Sequence, residues 1–228
     1  MMLVKYLALR QVLYSKLQSI KKLKAIKLLK PILQKYCIEN FQNSSDISSK
    51  LSEYKKLLLD SNQNMNLIGK STIDDFDQRH FLDCIQIVKY LPHPEKSLMD
   101  IGTGAGLPGI IMSIIGFKNL HLVEKSPKKS IFLENCKLRL GLNYQVHNKP
   151  IADISNLNVD CITARAFASI EKIISMTKQI INKQTKFILL KGRSYLKELQ
   201  AINPQKYFWE TYPSITSHES KIIIMGAK

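Results

Sequence analysis

The chain has 228 residues, 45% of them hydrophobic, enough for one domain of ordinary size with a buried core and an appendage. Its formal net charge of +16 argues against a cationic partner and favours a polyanion, most simply nucleic acid, or an anionic membrane surface. The four cysteines Cys37, Cys84, Cys136 and Cys161 have neither C-x-x-C nor zinc-type spacing, which argues against a metal centre or a disulfide framework and fits a reducing cytoplasm.

Residues 1–38 carry nine Lys or Arg and no Asp or Glu. Leu3, Leu7, Leu13, Leu17, Ile20, Leu23 and Ile26 recur roughly at helical spacing. The stretch reads as a basic amphipathic helical extension, ending or kinking near Pro31. An RNA-contacting arm, a membrane-surface helix, a targeting segment and a solvated helix packed by one face are all open uses. No apolar run approaches the roughly 18 residues of a transmembrane helix, so no integral membrane segment is expected.

Residues 39–96 read as a helical cap. The polar stretch 40–50 predicts a linker or capping turn. Helical patterns follow over 51–60 and 74–90, separated by a turn at Asn64-Met65-Asn66-Leu67-Ile68-Gly69. The second contains Arg79-His80-Phe81-Leu82-Asp83, and Pro92 and Pro94 close the region. From residue 97 the rhythm becomes β-α-β. Strands are predicted at 97–101, 120–124, 144–147, 159–164, 186–190 and 221–225, with another near 207–212. Helices are predicted at 108–115, 126–140, 169–181 and 194–202. Such alternation implies a mainly parallel sheet covered by helices on both faces. Ligands of such sheets bind beyond the carboxyl ends of the strands.

The most informative stretch is Leu98-Met99-Asp100-Ile101-Gly102-Thr103-Gly104-Ala105-Gly106-Leu107-Pro108-Gly109. It reads as strand, glycine turn, helix, with Pro108 in the first helical turn. Gly102 and Gly104 fit the dinucleotide fingerprint, but its third glycine position falls on Leu107. Asp100 would repel a pyrophosphate. It would attract the ammonium and sulfonium of S-adenosylmethionine. Glu124 ends the next apolar run, about where an acidic residue meets ribose hydroxyls in such folds.

Asn66-Leu67, Arg79-His80-Phe81-Leu82-Asp83, Asp100 through Gly109, Lys128-Lys129, Phe132-Leu133, Leu140-Gly141-Leu142, Arg165-Ala166 and Lys191-Gly192 fall in order along the chain. Together they resemble the bacterial RsmG (GidB) family over roughly residues 50–228. The resemblance implies a Rossmann-like, class I S-adenosylmethionine-dependent methyltransferase fold over 97–228. It also implies methylation of guanine N7 in small-subunit (16S) ribosomal RNA. Members usually carry an Arg-x-Glu element after the third strand. Here Lys149 takes the Arg position and Ile151 stands where the Glu is expected, so contacts there fall to the backbone of Pro150 and Ile151. The basic extension exceeds the usual start of the family.

The chemistry agrees with this resemblance. Guanine N7 has an in-plane lone pair and no proton, so methyl transfer needs no general base and catalysis is mostly orientation. No nucleophile–base constellation, Asn-Pro-Pro-Tyr motif or Pro-Cys dipeptide stands out. The expected cofactor residues are Asp100, Gly102, Gly104, Leu107, Glu124, Pro150, Ile151 and Arg165. The expected catalytic residues are Arg165, Lys191 and Lys149. Arg165, at a predicted strand end, is placed to reach guanine O6 or a phosphate; a salt bridge within the sheet is its alternative. Arg79, His80, Lys128 and Lys129 are the RNA-binding candidates. The alternatives are a structural histidine for His80 and a solvated face for the lysines. No metal is expected. The partners are small-subunit ribosomal RNA or the ribosomal subunit, and the protein is expected to be a cytoplasmic monomer. Two other functions stay open: a nicotinamide-dependent oxidoreductase, disfavoured by Leu107 and Asp100, and a non-enzymatic RNA-binding module.

Overall fold

The computed structural model describes residues 44–228; the expectation for the basic extension lies outside the described residues. A seven-stranded sheet runs in the order β3-β2-β1-β4-β5-β7-β6. Its strands are β1 (Leu98–Ile101), β2 (Leu120–Val123), β3 (Gln145–His147), β4 (Cys161–Arg165), β5 (Lys186–Lys191), β6 (Tyr207–Pro213) and β7 (Lys221–Ala227). The first five are parallel, while β7 runs antiparallel to both β5 and β6. All seven predicted strands are present, including the one near 207–212.

Alternation along the central strands builds two cores, one on each face of the sheet. Leu98, Cys161, Ile188, Leu190 and Ile222 face one core. Met99, Ile101, Ile162, Ala164, Phe187, Leu189 and Ile223 face the other. The first core is closed by helix α1 (Ser44–Met65), by α3 (Gly109–Ile114) and by α4 (Pro127–Leu140). The second is closed by α5 (Ile170–Thr177) and α6 (Tyr195–Gln200). Helix α4 has Pro127 at its start and ends on Gly141 in the left-handed region, with the Leu142 amide donating back to the Lys137 carbonyl at 3.0 Å.

Two expectations for the cap are corrected. The predicted polar linker is helical from Ser44 onward, because α1 extends over Ser44–Met65 and Ile47 and Leu51 pack against the core. The predicted single helix over 74–90 is broken. A π-helical turn spans Asp77–Leu82, the short α2 spans Asp83–Ile85, and a 3₁₀ turn follows over Val88–Tyr90. Within the π-helical turn the Arg79 carbonyl accepts a hydrogen bond from Arg165 at 2.8 Å. Wide turns of this kind often mark functional positions. Among the described residues no helix is long and apolar enough to cross a membrane, and no group of three metal-ligating side chains comes together.

Candidate active site

Parallel register brings the carboxyl ends of β1, β2, β4 and β5 to one edge of the sheet. The loop after β1 is fixed from beneath by Asp100. This side chain is fully buried. Its Oδ2 accepts from Thr103 Oγ1 at 2.5 Å and from the Gly109 amide at 3.0 Å, while its Oδ1 accepts from Thr163 Oγ1 at 3.0 Å. Burial lifts its pKa from 3.8 to about 6, against the pull of those hydrogen bonds. The expectation that Asp100 faces the ligand is therefore corrected. Its carboxylate is occupied by the loop, the following helix and the neighbouring strand, and acts by shaping the loop. The cap braces the same loop from above, where buried Tyr54 on α1 donates to the Ala105 carbonyl at 2.6 Å.

Gly104 lies at the open side of this loop. Its φ is +57°, and a Cβ built there meets only the Gly102 carbonyl oxygen, at 3.9 Å. The position thus offers free space in a backbone conformation that glycine adopts readily. Glu124, just past β2, turns back towards it. Its Oε2 accepts from the Gly104 amide at 3.0 Å and its Oε1 from the Ser126 amide at 2.8 Å. A carboxylate has about four acceptor directions, so two are left unfilled among the described residues. Leu107 is buried in the first core and Ile151 in the second. Their side chains pack away from solvent, which leaves any ligand contact to the backbone, as expected for Ile151. Pro150 and Lys149 are exposed beyond β3, and the Asn148 amide group beside them donates to the Glu124 carbonyl at 3.1 Å.

Arg165 ends β4 and is already committed. Its Nε donates to Asp83 Oδ2 at 2.8 Å, and its Nη2 donates to the Arg79 carbonyl at 2.8 Å and reaches His80 Nδ1 at 3.2 Å. Arginine can only donate, so His80 Nδ1 is an acceptor and the ring proton sits on Nε2. That proton points at Thr72 Oγ1, 2.9 Å away, and the Thr72 hydroxyl donates in turn to the Gly69 carbonyl at 2.6 Å. His80 is buried, and burial together with the Arg165 and Arg79 charges lowers its pKa from 6.5 to about 4. The RNA-contact expectation for His80 is corrected: it is a neutral link inside the cap. The expectation of a free Arg165 guanidinium is corrected too, since Nη1 alone has no partner among the described residues.

Asp83, which sequence reasoning did not single out as a site residue, is the centre of this network. Besides Arg165, its Oδ1 accepts from Gln86 Nε2 at 2.9 Å and from Thr216 Oγ1 at 2.5 Å. Gln86 also binds the Ser214 hydroxyl at 3.1 Å and the Ile215 amide at 2.9 Å. One carboxylate therefore ties together the cap, the end of β4 and the β6–β7 loop. Its signal in the sequence was its place at the end of the Arg79–Asp83 motif. After Arg165 the backbone turns sharply, with Ala166 at φ +50°. Phe167 follows, 37% exposed, its ring lying against Gly102.

Lys191, at the end of β5, is buried. Its Nζ donates to the Ala168 carbonyl and to Glu198 Oε2, the latter at 2.8 Å. Burial alone would raise the Glu198 pKa, but hydrogen bonds from Lys191, Ser194 and the Ile170 amide outweigh it and hold the pKa down. Lys191 Nζ is thus engaged within the protein, which corrects the expectation of a catalytic Lys191 that touches the substrate. Arg79 and Lys128 are exposed and Lys129 is half-buried. The two lysines sit at the start of α4, next to Glu124. The edge therefore has two halves. The glycine loop and Glu124 form one over β1 and β2. Arg165, Ala166, Lys191 and the β6–β7 loop line a cavity of about 180 Å³ over β4, β5 and β7.

Comparison with known proteins identifies the family and the fold. The rRNA small subunit methyltransferase G (GidB) family matches residues 47–220. The ribosomal RNA small subunit methyltransferase G of Rickettsia rickettsii (strain Sheila Smith) is 38% identical over 181 residues, covering 78% of this chain and 93% of the relative. That of Rickettsia akari (strain Hartford) is 38% identical over 183 residues, covering 79% and 94%. Among solved structures, the magnesium protoporphyrin IX methyltransferase of Synechocystis with bound S-adenosylmethionine is similar at a TM-score of 0.53 and 13% identity, covering 77% of this chain and 97% of that one. The ribosomal protein L11 methylase of Lactobacillus delbrueckii is similar at 0.51 and 18%, covering 59% and 71%. At such identities these two inform the fold alone, and they place it in the class I methyltransferase group. The oxidoreductase and non-enzymatic alternatives are set aside by the family match. The chain belongs to the rRNA small subunit methyltransferase G family, whose members are named as ribosomal RNA methyltransferases.

Proposed function

We propose that this protein transfers a methyl group from S-adenosylmethionine to N7 of a guanine in 16S ribosomal RNA. The observation that carries this reading is the open glycine loop facing Glu124, within a chain of this family. The residues fit the cofactor. Gly104 leaves space where any side chain would intrude. Glu124 keeps acceptor capacity for two ribose hydroxyls, and Pro150 lies exposed at the adjoining strand end. When bound, S-adenosylmethionine supplies an electrophilic methyl group.

Everything else is orientation. Guanine N7 brings its own lone pair, so no side chain has to remove a proton. The absence of a nucleophile–base pair at the described strand ends suits that chemistry. Arg165 acts as a positioning residue. Bonds to Asp83 and to the Arg79 carbonyl fix its plane, leaving Nη1 for guanine O6 or a phosphate. Keeping the donor off N7 leaves the nucleophile free. Lys191 positions the backbone after β4 through the Ala168 carbonyl, and exposed Lys149 and Lys128 with half-buried Lys129 supply positive charge. The protein works as a monomer in the cytoplasm under this reading, which light scattering of the purified chain tests in part. The decisive experiment incubates it with 16S ribosomal RNA and methyl-labelled S-adenosylmethionine, then maps 7-methylguanosine by mass spectrometry. Label on one guanine N7 is expected. Label on another atom, or none with binding of a nicotinamide cofactor instead, overturns the proposal.

A further inference from the structure

We infer that the cavity between the cap and the β6–β7 loop is a phosphate clamp for the substrate RNA, formed by Arg79 and Lys221 with the hydroxyls of Ser217 and Ser220. The inference rests on RNA being the substrate and says where the chain beside the reacting base is held. All four residues line the cavity of about 180 Å³. It lies at the carboxyl ends of β4 and β5 and is lined by Arg165 but by no residue of the glycine loop.

Charge separates the cations here into two sets. Arg165 is paired with Asp83 and Lys191 with Glu198, each at 2.8 Å. Their charge is largely spent within the protein. Arg79 and Lys221 have no carboxylate partner among the described residues; Lys221 lies only over the Tyr195 ring, 6.0 Å from its centroid. Among the lining side chains the basic residues are Arg79, Arg165, Lys191 and Lys221, against the single acid Asp83. The cavity is therefore positive, and its uncompensated part is these two groups.

The neutral lining points the same way. The Ser217 and Ser220 hydroxyls have no hydrogen-bond partner among the described residues, although their backbones are engaged at 3.2 and 3.1 Å in the loop. Two free hydroxyl donors beside two free cations match an anionic oxygen ligand, and a phosphodiester is the anion RNA offers. The loop that carries the serines is held in place beforehand. Thr216 binds Asp83 at 2.5 Å and the Ile215 amide binds Gln86 at 2.9 Å. The clamp thus needs little ordering on binding.

The test measures binding of a 16S ribosomal RNA fragment over a range of salt concentrations, with S-adenosylhomocysteine binding measured in parallel. Arg79→Gln and Lys221→Gln are compared with Lys183→Gln, which removes the same charge from an exposed loop before β5. Each clamp variant should weaken RNA binding about 3- to 10-fold beyond the control and reduce the salt slope by about 0.7, the loss of one phosphate contact on a single strand. Because both groups are needed to hold the one phosphate, either loss releases it and the double variant should lower the slope little further. Lys221→Arg should retain binding, and S-adenosylhomocysteine affinity should not change in any of them. If both clamp variants behave like Lys183→Gln, the clamp does not exist. If the wild-type protein methylates no ribosomal RNA at all, the proposed function fails instead, so the two failures are distinguishable.

Discussion

The ion pair between Asp83 and Arg165 joins two parts of the chain 82 residues apart, and cutting it tests whether the cap is held on the sheet by this network. The contact is short, at 2.8 Å, and the side chains are 17% and 21% exposed. At that separation and an effective dielectric constant of about 20, the raw Coulomb attraction is about 6 kcal/mol. Desolvation opposes it, leaving a coupling of about 2 kcal/mol, in the range of hydrogen bonds to charged groups. Asp83→Ala also deprives Thr216 and Gln86 of their acceptor, at about 1 kcal/mol each. Its total cost is therefore about 4 kcal/mol. Arg165→Ala loses the pair and the bonds to the Arg79 carbonyl and His80, for about 3 to 4 kcal/mol. The double variant should cost about 2 kcal/mol less than the sum of the singles, because the shared pair is counted once. Urea unfolding of the full chain, followed by far-ultraviolet circular dichroism, measures all four corners of this cycle. Since the pair is mostly buried, the coupling should persist in 0.5 M salt, about five times the ionic strength at which exposed charges are screened within 10 Å. Additivity within about 0.5 kcal/mol would refute the reasoning. The methylation readout is separate: Arg165→Ala should lower the single-turnover rate by about 100-fold while leaving cofactor affinity near normal, and Arg165→Lys should recover only part of that rate.

Further predictions concern the loop and its supports. Gly104→Val should abolish binding of S-adenosylmethionine in calorimetry while the chain stays folded, since the added side chain enters open space at a φ of +57°; retained affinity would remove Gly104 from the pocket. Gly109→Ala should destabilise the fold by about 1 to 3 kcal/mol in thermal melts, an overpacking cost, because its Cβ would lie 2.1 Å from Leu122 Cδ2 and 3.0 Å from Asp100 Oδ2. His80 has a folded pKa of about 4 against 6.5, so the unfolded chain binds a proton that the folded chain lacks between those values. Its environment therefore withdraws about 3 kcal/mol of stability as pH falls through that window, and the stability gap between wild type and His80→Gln should narrow as pH falls; a pH-independent gap refutes the neutral-histidine assignment. Asp100 has the opposite sign. Its folded pKa of about 6 lies above 3.8, so wild type loses about 3 kcal/mol as pH rises from about 4 to 6. Asp100→Asn should gain on wild type over that range, and equal slopes would show that the carboxyl is not desolvated.

The sheet was legible because its strands are short apolar runs separated by helical patterns, and that rhythm is local. The glycine loop was legible for the same reason, since each positive-φ position falls on a residue suited to it. The role of Asp100 was not, because its partner Thr163 is 63 residues away. Only the parallel register that sets Asp100 opposite Thr163 reveals that the carboxylate is consumed inside the fold. The basic residues show the same limit more sharply. Arg165, Lys191 and Arg79 are alike in a sequence, each a cation near a strand end or motif. In the structure two are neutralised by acids on other elements, at 2.8 Å in both cases, while Arg79 has no carboxylate partner among the described residues. Which cation is free to hold a substrate is decided by long-range pairing, not by residue type. That sorting divides the work at this edge. The paired cations hold the protein's own backbone and loops in place, and Arg79 and Lys221, which have no carboxylate partner among the described residues, line the cavity proposed to take an external anion.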